Sequence, residues 1–516
     1  MGKPNDNGHI EDIDSSKQRN DNSIGSGSGD YAPPDIQKET QILQDAEYFK
    51  AQKRYLRKLD YIILPTISTL YFFEYLDRGN IANAKILGVN AGHDTPKAGV
   101  GPGRRTLSGT EWQTIIMIFY VGLVLFQIPG CIGYRVFPPS KWIAFGVCGW
   151  AMTSLLQDAT FNLAGMLVCR VFLGVFEGLF GTGIVYYLSL WYHRSEMGVR
   201  VFWFLGPTAV AGAFGGLIAY GVGDIHSSVS SWKWLFLIEA LPCFLLGLFC
   251  LYWLPDRPLR NSRFKGINQE IAEARYHSEA FDKAGAIQKR HVIWTMKDWR
   301  LYAQASIYVP TAALLASISG FLPTIVANLG YEGSKANLMT VPPYAVAFVL
   351  MYAVSWNSDR VKERGIHIAV LMAIATVMYA LLATLPESQL HGKYACMCIA
   401  VACVYATYPP SHAWAANNFG NETKRAIGMG AYTAIGNLGS IAGTWVYPAN
   451  QAPQFREGHF ICMGLAIATA VLSLSNSVVL GAINKHRDKK YGKPLQGASI
   501  DVTELADESP NFRFFT

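Results

Sequence analysis

The stretch from Arg170 to Tyr192, RVFLGVFEGLFGTGIVYYLSLWY, constrains this chain more than any other. It is apolar and long enough to cross a bilayer as a helix, which takes roughly 20 residues. Yet it carries Arg170 and Glu177. Residues seven apart stand two turns apart on one helix face. At the centre of a membrane helix each such charge costs about 2.5–3.5 kcal/mol on the insertion scale. A helix that tolerates both must turn that face to a protein interior or a watery cavity. Gly174 and Gly178 form a small-xxx-small step that lets another helix approach closely. The pair Arg170 and Glu177 has two readings: a buried ion pair that only orients helices, or a site for a charged solute or a proton.

The rest of the composition agrees with a membrane reading. Of 516 residues 51% are hydrophobic and only 16% are charged, against about a quarter in ordinary soluble domains. The charges cluster between apolar runs, as in a polytopic helical membrane protein. The net charge of +7 is accounted for by basic loops beside helices, and no nucleic-acid partner is expected. The nine cysteines lie in or beside apolar runs without zinc-ligand spacing, so packing is their expected role. The first fifty residues are polar, so no cleavable signal peptide is expected and the first membrane helix should serve for targeting. The tail 1–55 reads as disordered.

Apolar windows give twelve spans: 61–83, 113–133, 142–159, 162–190, 200–222, 233–254, 302–326, 338–357, 367–385, 393–411, 426–447 and 460–482. The charged interruption 255–300 divides them six and six, into a bundle over 56–254 and another over 301–483, with a tail from 484 to 516. Within the interruption NQEIAEARYHSEAFDKA has the pattern of an amphipathic surface helix. Lys and Arg concentrate on one side of the spans, which puts both termini in the cytoplasm. A basic turn follows the second helix of each half, GYRVFPPSKW at 133–142 and WNSDRVKERG at 356–365. Such internal repeats are expected of transporters that bind substrate between two bundles. The fold class is therefore an all-α membrane protein of twelve transmembrane helices in two pseudo-symmetric six-helix bundles.

Span 1 ends in YFFEYLDRGNIANAK, holding Glu74, Asp77 and Arg78. Asp77 and Arg78 are adjacent, so they project about 100° apart and face different directions. Arg78 offers a planar fork to a carboxylate. Asp77 is either a proton carrier or half of an interface pair that reaches back to water. Glu74 carries no assignment. Glu239, in WLFLIEALP, reads as a helix-packing residue. Asn437 is an interhelical hydrogen-bonding group or a substrate contact, and Tyr75 a pocket liner. No Walker loop, H-E-x-x-H or G-x-S-x-G is present, so no enzyme is expected. Without an ATP site, transport must draw on an ion gradient or on the solute's own.

Several stretches together are similar to one family. They include YFFEYLDRGNIANAK at 71–85, QIPG at 127–130, RVFLGVFEG and YYLSLWYHRSE within 170–196 and AGAFGGLIAYG at 211–221. They continue with WKWLFLIEALP at 232–242, LPDRP at 254–258, ANLMTVPPYAV at 336–346, SDR at 358–360 and ETKRAIGMGAYTAIGNLGSIAG at 422–443. In these the chain resembles the major facilitator superfamily, specifically its anion:cation symporter family and the fungal allantoate-permease group within it. The resemblance spans about residues 55–485. It implies a central site between two bundles and proton-coupled uptake of a carboxylate. It implies that Asp77 and Glu177 bind protons and that Arg78 and Arg170 bind the anion; Tyr75 and Asn437 are added as substrate contacts. Three departures stand out: the 133–142 turn lacks an acid, Thr182 stands where a proline is usual, and the 84–112 loop is long.

The expected function is secondary active transport, with a proton gradient and no cofactor, of a small organic anion such as a vitamin, ureide or carboxylate. The expected molecule is a monomer in the lipid bilayer of the plasma membrane. Two alternatives stand beside it, an exporter or facilitator of a secondary metabolite and a non-transporting nutrient sensor. The short tails disfavour the sensor.

Overall fold

A computed structural model describes residues 34–84, 109–160, 162–193, 196–223, 225, 230–260, 264–278, 289–328, 338–386, 388–448, 451, 454–494 and 505–516. The chain divides into two units, Met1–Ala51 and Gln52–Thr516, and the packing and cavities below belong to the second. The long 84–112 loop lies almost wholly outside the described residues, as does the polar segment 1–33. The first helix begins at Pro34, earlier than the disordered tail to 55 that composition suggests. Its opening turns carry several Gln, Lys and Glu residues, which favour helix.

The described residues contain helices and no strand. They are α1 (Pro34–Ala84), α2 (Gly109–Val136), α3 (Pro139–Gln157), α4 (Leu163–Trp191), α5 (Met197–Leu205), α6 (Pro207–Gly223) and α7 (Ser231–Trp253). Two surface helices follow, α8 (Ile267–Ser278) and α9 (Lys289–Lys297). The second half holds α10 (Trp299–Asn328), α11 (Val341–Val361), α12 (Gly365–Thr384), α13 (Leu390–Ala406), α14 (Tyr408–Asn418), α15 (Glu422–Gly443) and α16 (Arg456–Tyr491).

Local chemistry sets the breaks. Pro207 follows Gly206 and divides span 5 into α5 and α6. Pro409 and Pro410 remove two backbone donors in succession, and span 10 divides at Thr407 into α13 and α14. Asn162 caps α4, its side chain accepting from the Gly165 N–H, and Asn421 caps α15 through the Lys424 N–H. Counting each broken pair as one span, twelve spans cover the twelve expected windows. Among the described residues eight are long and apolar enough to cross a membrane by composition alone. The exceptions include α1 and α15, whose polar residues line the cavity described below.

Packing repeats between halves. In the first, α2 lies on α4, and α3 on α4 and α7; in the second, α11 lies on α13, and α12 on α13 and α16. The crossings between halves repeat too, α2 against α15 and α11 against α5 and α6. The glycine step of α4 works as anticipated. A Cβ on Gly174 would lie 2.0 Å from the Phe119 carbonyl oxygen of α2, so only glycine permits that approach.

Two features close the end of the bundle that carries α8 and α9, here called the basic end. The Asp359 carboxylate, at the end of α11, accepts the Gly198 and Val199 N–H groups at the start of α5, 3.0 and 2.8 Å away. Arg364 holds Asp359 in turn at 2.7 Å. The second feature is the segment 505–516, which composition suggests is a featureless tail. It is docked instead, with Ala506, Asp507, Phe512 and Phe514 buried. Asn484 and Asn418 each grip its backbone by two hydrogen bonds, at Phe514 and Phe515 respectively, and Trp414 Nε1 donates to Phe515 O. Arg487 donates to three of its carbonyls.

Candidate substrate site

The site begins with the helical spacing of α1. Glu74 and Arg78 are four apart and share a face, and their side chains join at 2.8 Å. The same Arg78 Nη2 meets Glu177 Oε2 of α4 at 2.7 Å, and Nε approaches that oxygen at 3.3 Å. One guanidinium thus serves two carboxylates, all three largely buried. Glu74 Oε2 and Glu177 Oε1 have no nitrogen or hydroxyl donor among the described atoms, and the two carboxyl groups lie within hydrogen-bonding reach of each other. The guanidinium carbon also lies over the rings of Tyr75, at 4.9 Å, and Phe119, at 5.3 Å, which helps hold a desolvated cation.

This triad forms part of the wall of a cavity of about 610 Å³ between the halves. The opposite wall comes from α10, α14 and α15, with Tyr308, Tyr408, His412, Thr433, Asn437 and Ser440. The rings of Tyr308, Tyr408 and Tyr432 surround His412, whose plane stands nearly perpendicular to each. His412 Nδ1 lies 3.1 Å from Tyr408 O. A carbonyl only accepts, so that nitrogen carries the hydrogen and donates. Arg78 also lines two further cavities, of about 590 and 530 Å³, which reach Thr340 and Thr444 away from the basic end. Contacts between halves on the basic side of Arg78 include Tyr71 to Tyr408, 3.0 Å between hydroxyls, and Asp359 to α5. The conformation is one closed at the basic end.

Of the residues expected to form the site, Tyr75, Arg78, Glu177 and Asn437 line this cavity. Asp77 does not. It points to the other face of α1, where Ser154 Oγ of α3 donates to Asp77 Oδ1 at 2.9 Å. Arg170 lines the 530 Å³ cavity and not the central one. The supposed pairing of Arg170 with Glu177 is corrected, since the described ion pair of Glu177 is with Arg78. Seven residues of helix separate the two Cα atoms by about 10 Å along the axis, and Arg78 reaches in from α1 at right reach for a fork. Arg170 Nε and Nη2 have no partner among the described atoms.

Glu74 and His412 belong to the site and carried no assignment from the sequence. For His412 a signal exists: an ionisable residue inside a membrane span beside a double-proline break is a functional candidate by default. For Glu74 the signal is its four-residue spacing from Arg78. Tyr308 and Tyr408 had none, since aromatic residues abound here.

A sealed helical fold with a charged cavity between two repeated bundles defines an integral multi-pass membrane protein that moves a solute. The comparisons with known proteins agree. The sequence model of the Major Facilitator Superfamily matches residues 61–444, and the chain belongs to that superfamily. "MFS transporter prlL" of Fungal sp. (strain NRRL 50135) is 34% identical over 463 residues, covering 88% of this chain and 92% of its own. "Major facilitator-type transporter hxnP" of Emericella nidulans is 31% identical over 495 residues, covering 92% and 95%. Among solved structures, the proton:xylose symporter XylE bound to 6-bromo-6-deoxy-D-glucose is similar in fold, with a TM-score of 0.64 at 13% identity, covering 86% of this chain and 98% of that one.

Proposed function

We propose that the protein imports a small organic anion together with protons, by alternating access, as an anion:cation symporter of the allantoate-permease kind. The observation that carries this reading is the single guanidinium of Arg78 held between Glu74 and Glu177 at the wall of the cavity. With both acids ionised, the triad bears one net negative charge and repels an anion. A proton on either acid brings the triad to neutrality and frees a guanidinium edge for a carboxylate, which it binds as a fork. A proton therefore precedes or accompanies the anion, and the anion does not bind without it. The coupling energy comes from the proton gradient and needs no cofactor.

On the opposite wall, Tyr308, Tyr408 and His412 offer ring faces and edges, which suit a planar organic anion. Asn437 and Ser440 supply polar contacts beside them. The protein acts as a monomer in the plasma membrane, and the lysine and arginine asymmetry supports placing both termini in the cytoplasm. The conformation closed at the basic end is then the one that receives substrate from outside.

The test is uptake into proteoliposomes of a panel of radiolabelled carboxylates, with and without an imposed inward proton gradient. The expected result is accumulation of at least one member above equilibrium, only with the gradient. Accumulation that ignores the gradient, or efflux alone, makes the protein a facilitator or exporter.

A further inference from the structure

A second polar group lies in the N-terminal bundle, on the far side of α1 from the substrate cavity. Its centre is Glu239 of α7, eight residues and about 12 Å along the helix from its start. Glu239 is 1% exposed, and among the described residues the one polar group within hydrogen-bonding reach of its carboxylate is the Asn80 amide of α1, at a geometry too loose to satisfy either oxygen. Asn80 is itself fully buried and, among the described atoms, has no well-formed hydrogen bond other than this approach to Glu239. Asp77, three residues before Asn80 and so on the same face, is also fully buried and leaves Oδ2 unpartnered. Gln157 of α3 is fully buried with neither amide atom satisfied. None of these residues lines the central cavity.

This concentration of unsatisfied polar atoms is out of keeping with a dry bundle, where buried polar groups are nearly always paired. The charged groups around Glu239 can be named element by element. Asp77 on α1 is the one in electrostatic reach. On α3, which packs on α7, stand Cys148 and, at the helix end beside Lys233, Asp158. On α6, which also packs on α7, there is no charged residue. On α4, Glu177 and Arg170 are both in electrostatic reach of Asp77, and neither is in reach of Glu239. On α7 itself Cys243 lies one turn on. An isolated carboxylate is costly in such a place, and a proton is the smallest counter-ion that removes the cost.

We propose that Glu239 is a proton-binding site of the transport cycle, sharing its proton with Asp77 across the Asn80 amide. α1 then acts as a partition. Its Glu74 and Arg78 face meets the anion, and its Asp77 and Asn80 face meets a proton that never enters the substrate cavity. Movement of α1 during alternating access couples the two faces. The inference rests on the proton-coupled reading above.

The test uses the whole protein in lipid nanodiscs and protons alone as the probe. Infrared difference spectra between acid and alkaline buffer, in water and in heavy water, report protonated carboxyl groups by their C=O stretch. Glu239→Gln is expected to remove one component, Glu239→Asp to keep it at a shifted position, and Asp77→Asn to move it. Glu177→Gln should keep it and shift it less than Asp77→Asn does, since Glu177 reaches Asp77 and not Glu239. A Glu239→Gln spectrum that superimposes on the parent overturns the proposal. If Glu239→Gln does not fold, the shifted component of Glu239→Asp decides, and an unshifted one overturns the proposal. In proteoliposomes Glu239→Gln should lose gradient-driven accumulation while keeping exchange of the same carboxylate; full accumulation overturns its place in the cycle. A parent protein that shows the Glu239 component yet never responds to a proton gradient leaves the proton site standing and sinks the symport reading instead.

Discussion

The two walls of the central cavity come from two bundles with the same helix packing, yet they differ in the charges they carry. The first half supplies the charges, Glu74, Arg78 and Glu177. The second half supplies only rings and neutral polar or apolar groups, among them Tyr308, Tyr408, His412, Thr433, Asn437 and Ser440, while the first half adds its own rings, Tyr71, Tyr75 and Tyr120, to the charges. An ion pair in a membrane interior is expensive to build, and concentrating it in one bundle lets a single set of buried partners satisfy it. The other bundle is then free to vary in shape without disturbing the charges. The difference separates coupling from selectivity, and substitutions on either wall can break that separation.

The largest effect is expected at Arg78. Arg78→Lys keeps the charge and loses the fork, so one charged hydrogen bond to an acid or to the substrate goes with it. At about 1.5–3 kcal/mol for such a bond, apparent affinity for every transported carboxylate should fall roughly 10- to 150-fold. Expression and targeting should stay normal. Unchanged apparent affinity in whole-cell uptake would give Arg78 a purely structural role and dissolve the contrast between the walls.

Next is Glu177→Gln, which mimics the protonated acid at nearly the same volume. Gradient-driven accumulation should disappear while substrate exchange across the membrane is partly kept. A glutamine variant that concentrates substrate as well as the parent would leave the charged wall without a coupling role. Asp77→Asn sharpens the point, because Asp77 faces Ser154 and not the cavity. If it too abolishes accumulation, protons are handled on both faces of α1.

Smaller and different in character are changes on the second wall. Asn437→Ala removes a neutral hydrogen-bonding group, worth about 0.5–1.5 kcal/mol. Apparent affinity should change by roughly 2- to 10-fold, unequally across the carboxylate panel, with the dependence on the proton gradient preserved. A uniform loss of gradient dependence would show that the second wall couples as well.

The sequence made some of this legible and not the rest, for physical reasons. The spans could be read because a bilayer imposes a length and an apolarity on every helix. Glu177 and Arg78 could be read because charge in such a helix is costly and conspicuous. The pairing between them could not. Residues 99 apart in the chain meet only once α1 and α4 are packed, whereas Arg170 and Glu177 share a helix and invited pairing. The aromatic wall was hidden by abundance, since Tyr308 and Tyr408 look like any other tyrosine in a membrane helix. The docked segment 505–516 was hidden because its ligands, Asn418, Asn484 and Arg487, sit on helices distant in sequence and grip backbone, which any residue supplies.

That segment gives the smallest predicted effect and bears on the same contrast, because it fastens the second half alone. Lys424 at the start of α15 pairs with Asp298 at 2.7 Å and with Asp507, while Arg300 pairs with Asp298 and Asp507. The segment therefore ties the basic ends of α10, α15 and α16 into one body. Burial pushes the Asp298 carboxyl up, but the Arg300 hydrogen bond and the nearby Lys424 outweigh it and hold the group below its ordinary value. A carboxyl lowered by folding contributes stability above its unfolded pKa, about 3.9, and loses it as pH falls through the folded value. Lys424→Gln should thus lower the thermal midpoint of the detergent-solubilised protein at pH 7 by about 1 °C, the shift expected of roughly 1 kcal/mol in a protein this large. The deficit should persist at pH 5 and shrink below about pH 4, where Asp298 takes up its proton in parent and variant alike. A deficit that stays constant through that range would mean that Lys424 acts by packing. A deficit accompanied by lost proton coupling would show that the second half, too, has a part in coupling.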